Sequence, residues 1–136
     1  MRYIGLDLGE KTLGISLSNG IIATNYTTIR HDKEYPRLVD EVAKIVEEKA
    51  IDKIVLGFPK NMNNTVGYRA NITLEFKKML EDKIKKEVIL EDERLTSKVA
   101  NDFMIKEDIS RKKRKERVDG MASVIILQSY LDRKGF

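Results

Sequence analysis

The chain has 136 residues, 41% hydrophobic and 35% charged, with a formal net charge of +4, one histidine and no cysteine. That length and apolar content suit one folded domain spanning 1–136 with one core, and not a disordered chain. The cysteine count excludes a disulfide framework, a zinc ribbon and a thiol nucleophile, and a lone His31 excludes a histidine-built metal site. No apolar run is long enough to span a bilayer and no signal peptide is seen, so a cytoplasmic location without a membrane partner is expected.

Residues 2–8 read as a buried strand, and within it Asp7 interrupts the run Tyr3-Ile4-Gly5-Leu6-Asp7-Leu8-Gly9. A carboxylate in a core strand is costly unless something pairs with it or coordinates it. Gly5 and Gly9 flank Asp7 on its own side of the strand, which leaves space for a close approach. Gly9 to Thr12 reads as a turn, for which Asp7 could also serve as a cap. Leu13, Ile15 and Leu17 alternate with Gly14, Ser16 and Ser18, marking a second strand. Asn19-Gly20 is a hairpin signal, and Ile21 to Ile29 reads as a third strand. His31, next to Asp32, reads as a surface loop residue.

Helical spacing then appears at Tyr35, Leu38, Val42, Ile45 and Val46, with Pro36 suited to a first turn. Lys53 to Phe58 reads as a short buried strand. Residues 59–67 form a polar, Asn-rich loop, and Tyr68, Ile72, Phe76, Met79 and Leu80 suggest an amphipathic helix. Glu87 to Leu90 reads as a fifth strand. Thr96 suits the N-cap of a helix carrying Val99, Ala100, Phe103 and Met104. The stretch 111–117 holds six basic residues and one acidic one, a local +5 that leaves −1 for the rest of the chain. It reads as a loop or fraying helix end before a last helix over 118–132. A meander of three strands feeding βαβ crossovers gives an α/β fold with a five-stranded mixed sheet and helices on both faces, the layout of the ribonuclease H-like architecture.

Three acidic sites stand at element ends: Asp7, the run Glu91-Asp92-Glu93 where strand five ends, and Asp119 opening the last helix. Each has an ordinary alternative, since acidic residues collect at helix N-termini and Asp is a preferred cap. Together they suit a hard cation, Mg²⁺ or Mn²⁺, bound by oxygen and acting on phosphate. Two such ions about 3.5–4 Å apart can clamp the attacking water and the leaving oxygen of a phosphodiester, and their charge requires several carboxylates. The residues alone leave open which of Glu91, Asp92 and Glu93 is the strand-five ligand. Phosphate contacts are expected from the loop residues Lys60 and Asn61, from Arg94 and Thr96, and from Arg111, Lys112, Lys113, Arg114 and Lys115.

Four segments carry a resemblance: Gly5-Leu6-Asp7-Leu8-Gly9, Gly57-Phe58-Pro59 with Asn61-Met62-Asn63, Asp92-Glu93-Arg94-Leu95-Thr96-Ser97 and Val118-Asp119-Gly120-Met121-Ala122-Ser123. In that order they resemble the YqgF/RuvX family of bacterial proteins, from residue 2 to about 131. The resemblance implies a ribonuclease H-like fold related to Holliday junction resolvases, and nucleolytic maturation of the 5′ end of pre-16S rRNA. It carries the catalytic and metal-binding positions to Asp7, Glu93 and Asp119. One position departs from the pattern: Asn64 stands where a glycine is expected, and asparagine tolerates positive φ.

The expected function is a metal-dependent endonuclease on structured RNA, as a monomer or weak homodimer, with precursor rRNA or branched DNA as its partner. A Holliday junction resolvase shares the chemistry. A non-catalytic RNA or transcription-complex binding module would bind RNA independently of Asp7. Asp-Leu-Gly before a Ser/Gly strand is also similar to the first phosphate loop of sugar kinases and actin-like ATPases, which need two such domains around a nucleotide.

Overall fold

The computed structural model describes residues 1–59, 67–92 and 111–134, with 111–120 described by backbone alone. Strands β1 (Tyr3–Leu8), β2 (Thr12–Ser18) and β3 (Ala23–Arg30) form the expected antiparallel meander. β4 (Lys53–Phe58) lies parallel beside β1, and β5 (Val88–Asp92) parallel beside β4. The sheet order is therefore β3-β2-β1-β4-β5, with β1 at the centre. Parallel neighbours cannot be joined by a tight turn. Helix α1 (Tyr35–Glu48) makes the connection from β3 to β4, and α2 (Tyr68–Ile84) stands between β4 and β5. The last helix, α3 (Arg111–Lys134), covers the other side.

The two faces of the sheet differ in what they carry. Ile4, Leu6, Leu8, Leu13, Ile15, Ile54, Leu56 and Val88 share one face and pack on Leu38, Val42, Ile45 and Val46 of α1 and on Phe76 and Leu80 of α2. Each fully buried side chain of this size contributes about 1.5–3 kcal/mol, so this face supplies most of the apolar stabilisation. On the opposite face Tyr3, Val55 and Ile89 meet Ile126, Leu127, Tyr130 and Leu131 of α3. Period-two alternation puts Gly5, Gly14, Ser16 and Ser18 on that same face. A Cβ at Gly5 would lie 2.4 Å from Ser16 Oγ, 2.8 Å from Leu127 Cβ and 3.0 Å from the Ser123 carbonyl oxygen. The helix thus rests almost on the strand backbone. Ser16 Oγ donates to the Ser123 carbonyl at 2.8 Å and sets its height.

Several expected boundaries shift. α3 begins at Arg111, so the basic block is helical and not a loop or frayed end. Lys, Arg and Glu are strong helix formers, and no proline or glycine interrupts residues 111–119. Asp119 consequently sits inside the helix and is not its N-cap. β5 extends to Asp92, so Glu91 belongs to the strand. β3 starts at Ala23, and Ile21 and Ile22 are exposed before it. In α2 the buried positions are Ala70, Thr73, Phe76 and Leu80, whereas Tyr68 is 70% exposed. The helix expected after Thr96 lies outside the described residues. Among the described residues, no helix is long and apolar enough to cross a membrane.

Replacing Gly5 with alanine is expected to force α3 off the sheet and to cost about 1–3 kcal/mol, read from urea denaturation. A second outcome concerns Glu81, whose carboxylate accepts from Lys77 Nζ at 3.1 Å and from the Val88 amide at 3.3 Å, tying the end of α2 to the start of β5. The Lys77 hydrogen bond chiefly holds the Glu81 carboxyl below its ordinary range. Its stabilisation is present above the carboxylate pKa of the unfolded chain and is lost as pH falls through the lower folded value. Glu81→Gln should therefore lower stability at pH 7 by a solvent-screened few tenths of a kcal/mol, read from thermal unfolding, and the difference should shrink as pH falls below the ordinary carboxylate range.

Candidate metal and nucleic-acid site

Asp7 is the penultimate residue of β1 and faces α3 with Tyr3 and Gly5. It pairs across the antiparallel ladder with Gly14. On its other side the parallel ladder runs to Leu6–Leu56, so Gly57 is the next position on β4, and Gly57 pairs in turn with Glu91. The half-buried Asp7 carboxylate is therefore bordered by Gly5, Gly14 and Gly57. Side chains are missing where a core strand would ordinarily carry them, which leaves room beside the carboxylate. The two basic residues nearest in sequence have other partners. Lys11 Nζ lies 3.9 Å from Asp32, and the Arg2 guanidinium donates to the Lys49 carbonyl at 3.0 Å.

The direction of α3 brings a second acidic position to this level. Gly5 meets Ser123 and Leu127, while the Tyr3 ring lies 6.0 Å from Tyr130, so the helix runs antiparallel to β1. Asp119 is one turn before Ser123, about 6 Å along the helix axis. Asp7 is two residues beyond Gly5 in the same direction, about 6.6 Å along the strand. The two backbone positions thus stand at the same height on neighbouring elements. With Asp119 interior to the helix, capping no longer accounts for it.

β5 separates Glu91 from Asp92. Glu91 is only 6% exposed, accepts from Ser129 Oγ at 3.0 Å and pairs with the Arg133 guanidinium. Glu91 is therefore committed to holding α3 against the sheet edge. Ile89 packs on the same helix, so odd-numbered positions of β5 face α3 and Asp92 belongs to the α1/α2 side. Glu93, Arg94 and Thr96 lie outside the described residues, as do Lys60 and Asn61. The backbone of Arg111, Lys112, Lys113, Arg114 and Lys115 is helical, with side chains outside the described set. Among the described residues, no group of three or more His, Cys, Asp or Glu is gathered around one point.

Two residues to which the sequence assigned no role here secure the end of β1. The Arg69 guanidinium donates to the Leu8 carbonyl at 3.0 Å. His31, expected on the surface, is 6% exposed, with its Nε2 at 2.9 Å from the Gly9 carbonyl. A part-buried carbonyl at a strand end needs a donor, but nothing in a linear pattern says which distant residue supplies it.

Residues 1–133 match the sequence model of the RuvX family, described as Holliday junction resolvase. A protein of Geobacillus sp. named "Putative pre-16S rRNA nuclease" is 49% identical over 137 residues, covering 98% of this chain and 99% of that one. A protein of Bacillus subtilis with the same name is 47% identical, with 97% and 98% covered. Among solved structures, T. thermophilus RuvC in complex with a Holliday junction substrate superposes with a TM-score of 0.59 at 13% identity, covering 99% of this chain and 96% of that one. A ROK hexokinase from Thermus thermophilus reaches 0.52 at 22% identity over 74% of this chain and 38% of its own. These two likenesses concern the fold alone, which is ribonuclease H-like.

Arg133→Ala is expected to lower stability by about 1–2 kcal/mol, because it leaves the buried Glu91 carboxylate short of a partner. Changing both residues together, Glu91→Leu with Arg133→Met, should recover most of that loss in the same denaturation measurement.

Proposed function

The chain belongs to the RuvX family, and from that premise we propose that it is a metal-dependent endonuclease acting on the 5′ end of precursor 16S rRNA. The observation that carries the reading is the glycine-bordered Asp7 carboxylate, level with Asp119 across the α3–β1 contact. The donors fit a hard cation, since each is a carboxylate oxygen and the glycines leave space beside Asp7. Asp7, Glu93 and Asp119 would hold Mg²⁺ or Mn²⁺. Glu93 is favoured over its neighbours because Glu91 is engaged by α3 and Asp92 has the opposite strand parity. When bound, the ions supply an activated water and charge neutralisation at the phosphodiester.

The protein's own residues then have separate tasks. Asp7 is carried on the central strand of the sheet. Arg94 meets the phosphate bidentately, and Lys60, Asn61 and Thr96 add contacts to the nucleic acid. Arg111, Lys112, Lys113, Arg114 and Lys115 attract the backbone electrostatically and make binding salt-dependent. Cleavage leaves a 5′-phosphate. The enzyme works in the cytoplasm as a monomer or weak homodimer.

The resolvase reading rests on the family description and shares every catalytic residue, so substrate choice separates them. With Mn²⁺, the protein should trim a 5′-extended 16S precursor and leave a four-way DNA junction intact. Asp7→Asn should reduce trimming by about 100-fold or more, as loss of a carboxylate that would hold the ion implies. Undiminished cleavage by that variant sinks the assignment, and cleavage of the junction alone transfers it to branched DNA.

A further inference from the structure

The buried imidazole of His31 has no part in the reading above, yet its hydrogen bonds end two residues from Asp7. The Lys33 backbone N–H lies 3.0 Å from His31 Nδ1. An amide nitrogen can only donate, so Nδ1 is the bare acceptor and the ring proton is on Nε2. That proton is therefore donated to the Gly9 carbonyl, 2.9 Å away. The neutral ring joins the turn after β1 to the loop before α1 through one defined tautomer.

His31 is itself firmly placed. Its backbone N–H donates to the Lys11 carbonyl at 2.9 Å, and its ring lies 6.0 Å from that of Tyr35. Tyr35 in turn stands edge-on to the buried Phe76, with centroids 6.3 Å apart. Lys33 adopts φ 65°, the left-handed region that a lysine rarely occupies, and in that conformation its N–H meets the ring. The Gly9 N–H donates to the Thr12 carbonyl at 2.8 Å, and Arg69 takes the Leu8 carbonyl. The peptide units that follow Asp7 are thus held from three directions, at the point where the β1 ladder ends.

We infer that His31 is a positioning residue for Asp7: its Nε2–H fixes the Gly9 carbonyl and so the backbone from which the Asp7 carboxylate projects. This rests on the reading of Asp7 as an ion ligand. A carboxylate that must meet a cation at a set distance is sensitive to small backbone displacements, and groups that support ligands in this way commonly change metal affinity by about 10–100-fold.

Two substitutions divide the ring's functions. Glutamine can place its Nε2–H near the Gly9 carbonyl but offers nothing to Lys33. Asparagine can accept from the Lys33 amide but is too short for Gly9. Both remove the aromatic packing. His31→Asn is expected to weaken Mn²⁺ binding in calorimetry about tenfold and to lower kcat about tenfold with KM nearly unchanged. His31→Gln should stay within about threefold of the parent on all three. Equal losses in both variants, or unaltered Mn²⁺ affinity in His31→Asn, overturn the inference. Asp7→Asn as a control separates the failures. Mn²⁺ affinity untouched by that change removes the ligand reading and the role of His31 with it, whereas affinity lost there but equal in the two His31 variants removes the positioning role alone. Nitrogen NMR of the unaltered protein gives an independent readout that needs no variant to fold. It should find the proton on Nε2, and a ring protonated on Nδ1 instead rules out the proposed bond.

Discussion

The close contact between α3 and β1 is the constraint on which the arrangement depends. It exists because β1 and β2 present Gly5, Gly14, Ser16 and Ser18 to the helix, and the Gly5 Cβ position is already filled by Ser16 Oγ, Leu127 and the Ser123 carbonyl. An ordinary helix-on-sheet layer is held off by large side chains on both surfaces. Here the helix sits lower, and its turn before Ser123 comes level with Asp7. Apolar stabilisation is supplied mainly on the opposite face, by the interlocked core of α1, α2 and the even positions of β1. The division lets one face be selected for packing and the other for proximity.

The same division explains the placing of charge. Glu91 is buried on the α3 face, where a lone carboxylate would be costly, and it is accommodated by Ser129 and Arg133 from the helix itself. That pair pins the C-terminal half of α3 to β5, while Ser16 and Gly5 locate its middle on β1 and β2. Gln128 adds a further tie, accepting from the Ala23 amide at 2.8 Å and donating to the Ile21 carbonyl. The helix is therefore referenced to several strands at once. A position on its N-terminal half inherits that registration through the continuous helix.

The carboxylates proposed to hold an ion lie on different elements, which imposes a requirement that packing alone does not meet. Each supporting backbone must be fixed near its end, where regular hydrogen bonding stops. At β1 the task falls to residues remote in sequence, Arg69 from the start of α2 and His31 from the loop before α1. Both act on backbone carbonyls and not on the Asp7 side chain. The hydrogen bonds around Leu8 and Gly9 account for how the backbone beside Asp7 is kept still.

Much of this was legible in the linear chain, for a physical reason. Period-two alternation through Leu13, Ile15 and Leu17 and the Asn19-Gly20 turn are local properties, and so are the short apolar runs at 54–56 and 88–90. They suffice for the element order and the mixed sheet. The oddity of Asp7 was equally local, since a carboxylate inside an apolar strand conflicts with its immediate neighbours. Helix ends were less legible: the charge run at 111–117 looks the same as solvated loop or as exposed helix, and only continuity with the packed segment beyond Ala122 decides for helix. The fates of Glu91 and His31 could not be read at all. Whether a buried polar group is a ligand, a pin or a clamp depends on which atoms lie 3 Å away. Those atoms, on Ser129, Arg133, Gly9 and Lys33, are chosen by how strands and helices stack in three dimensions.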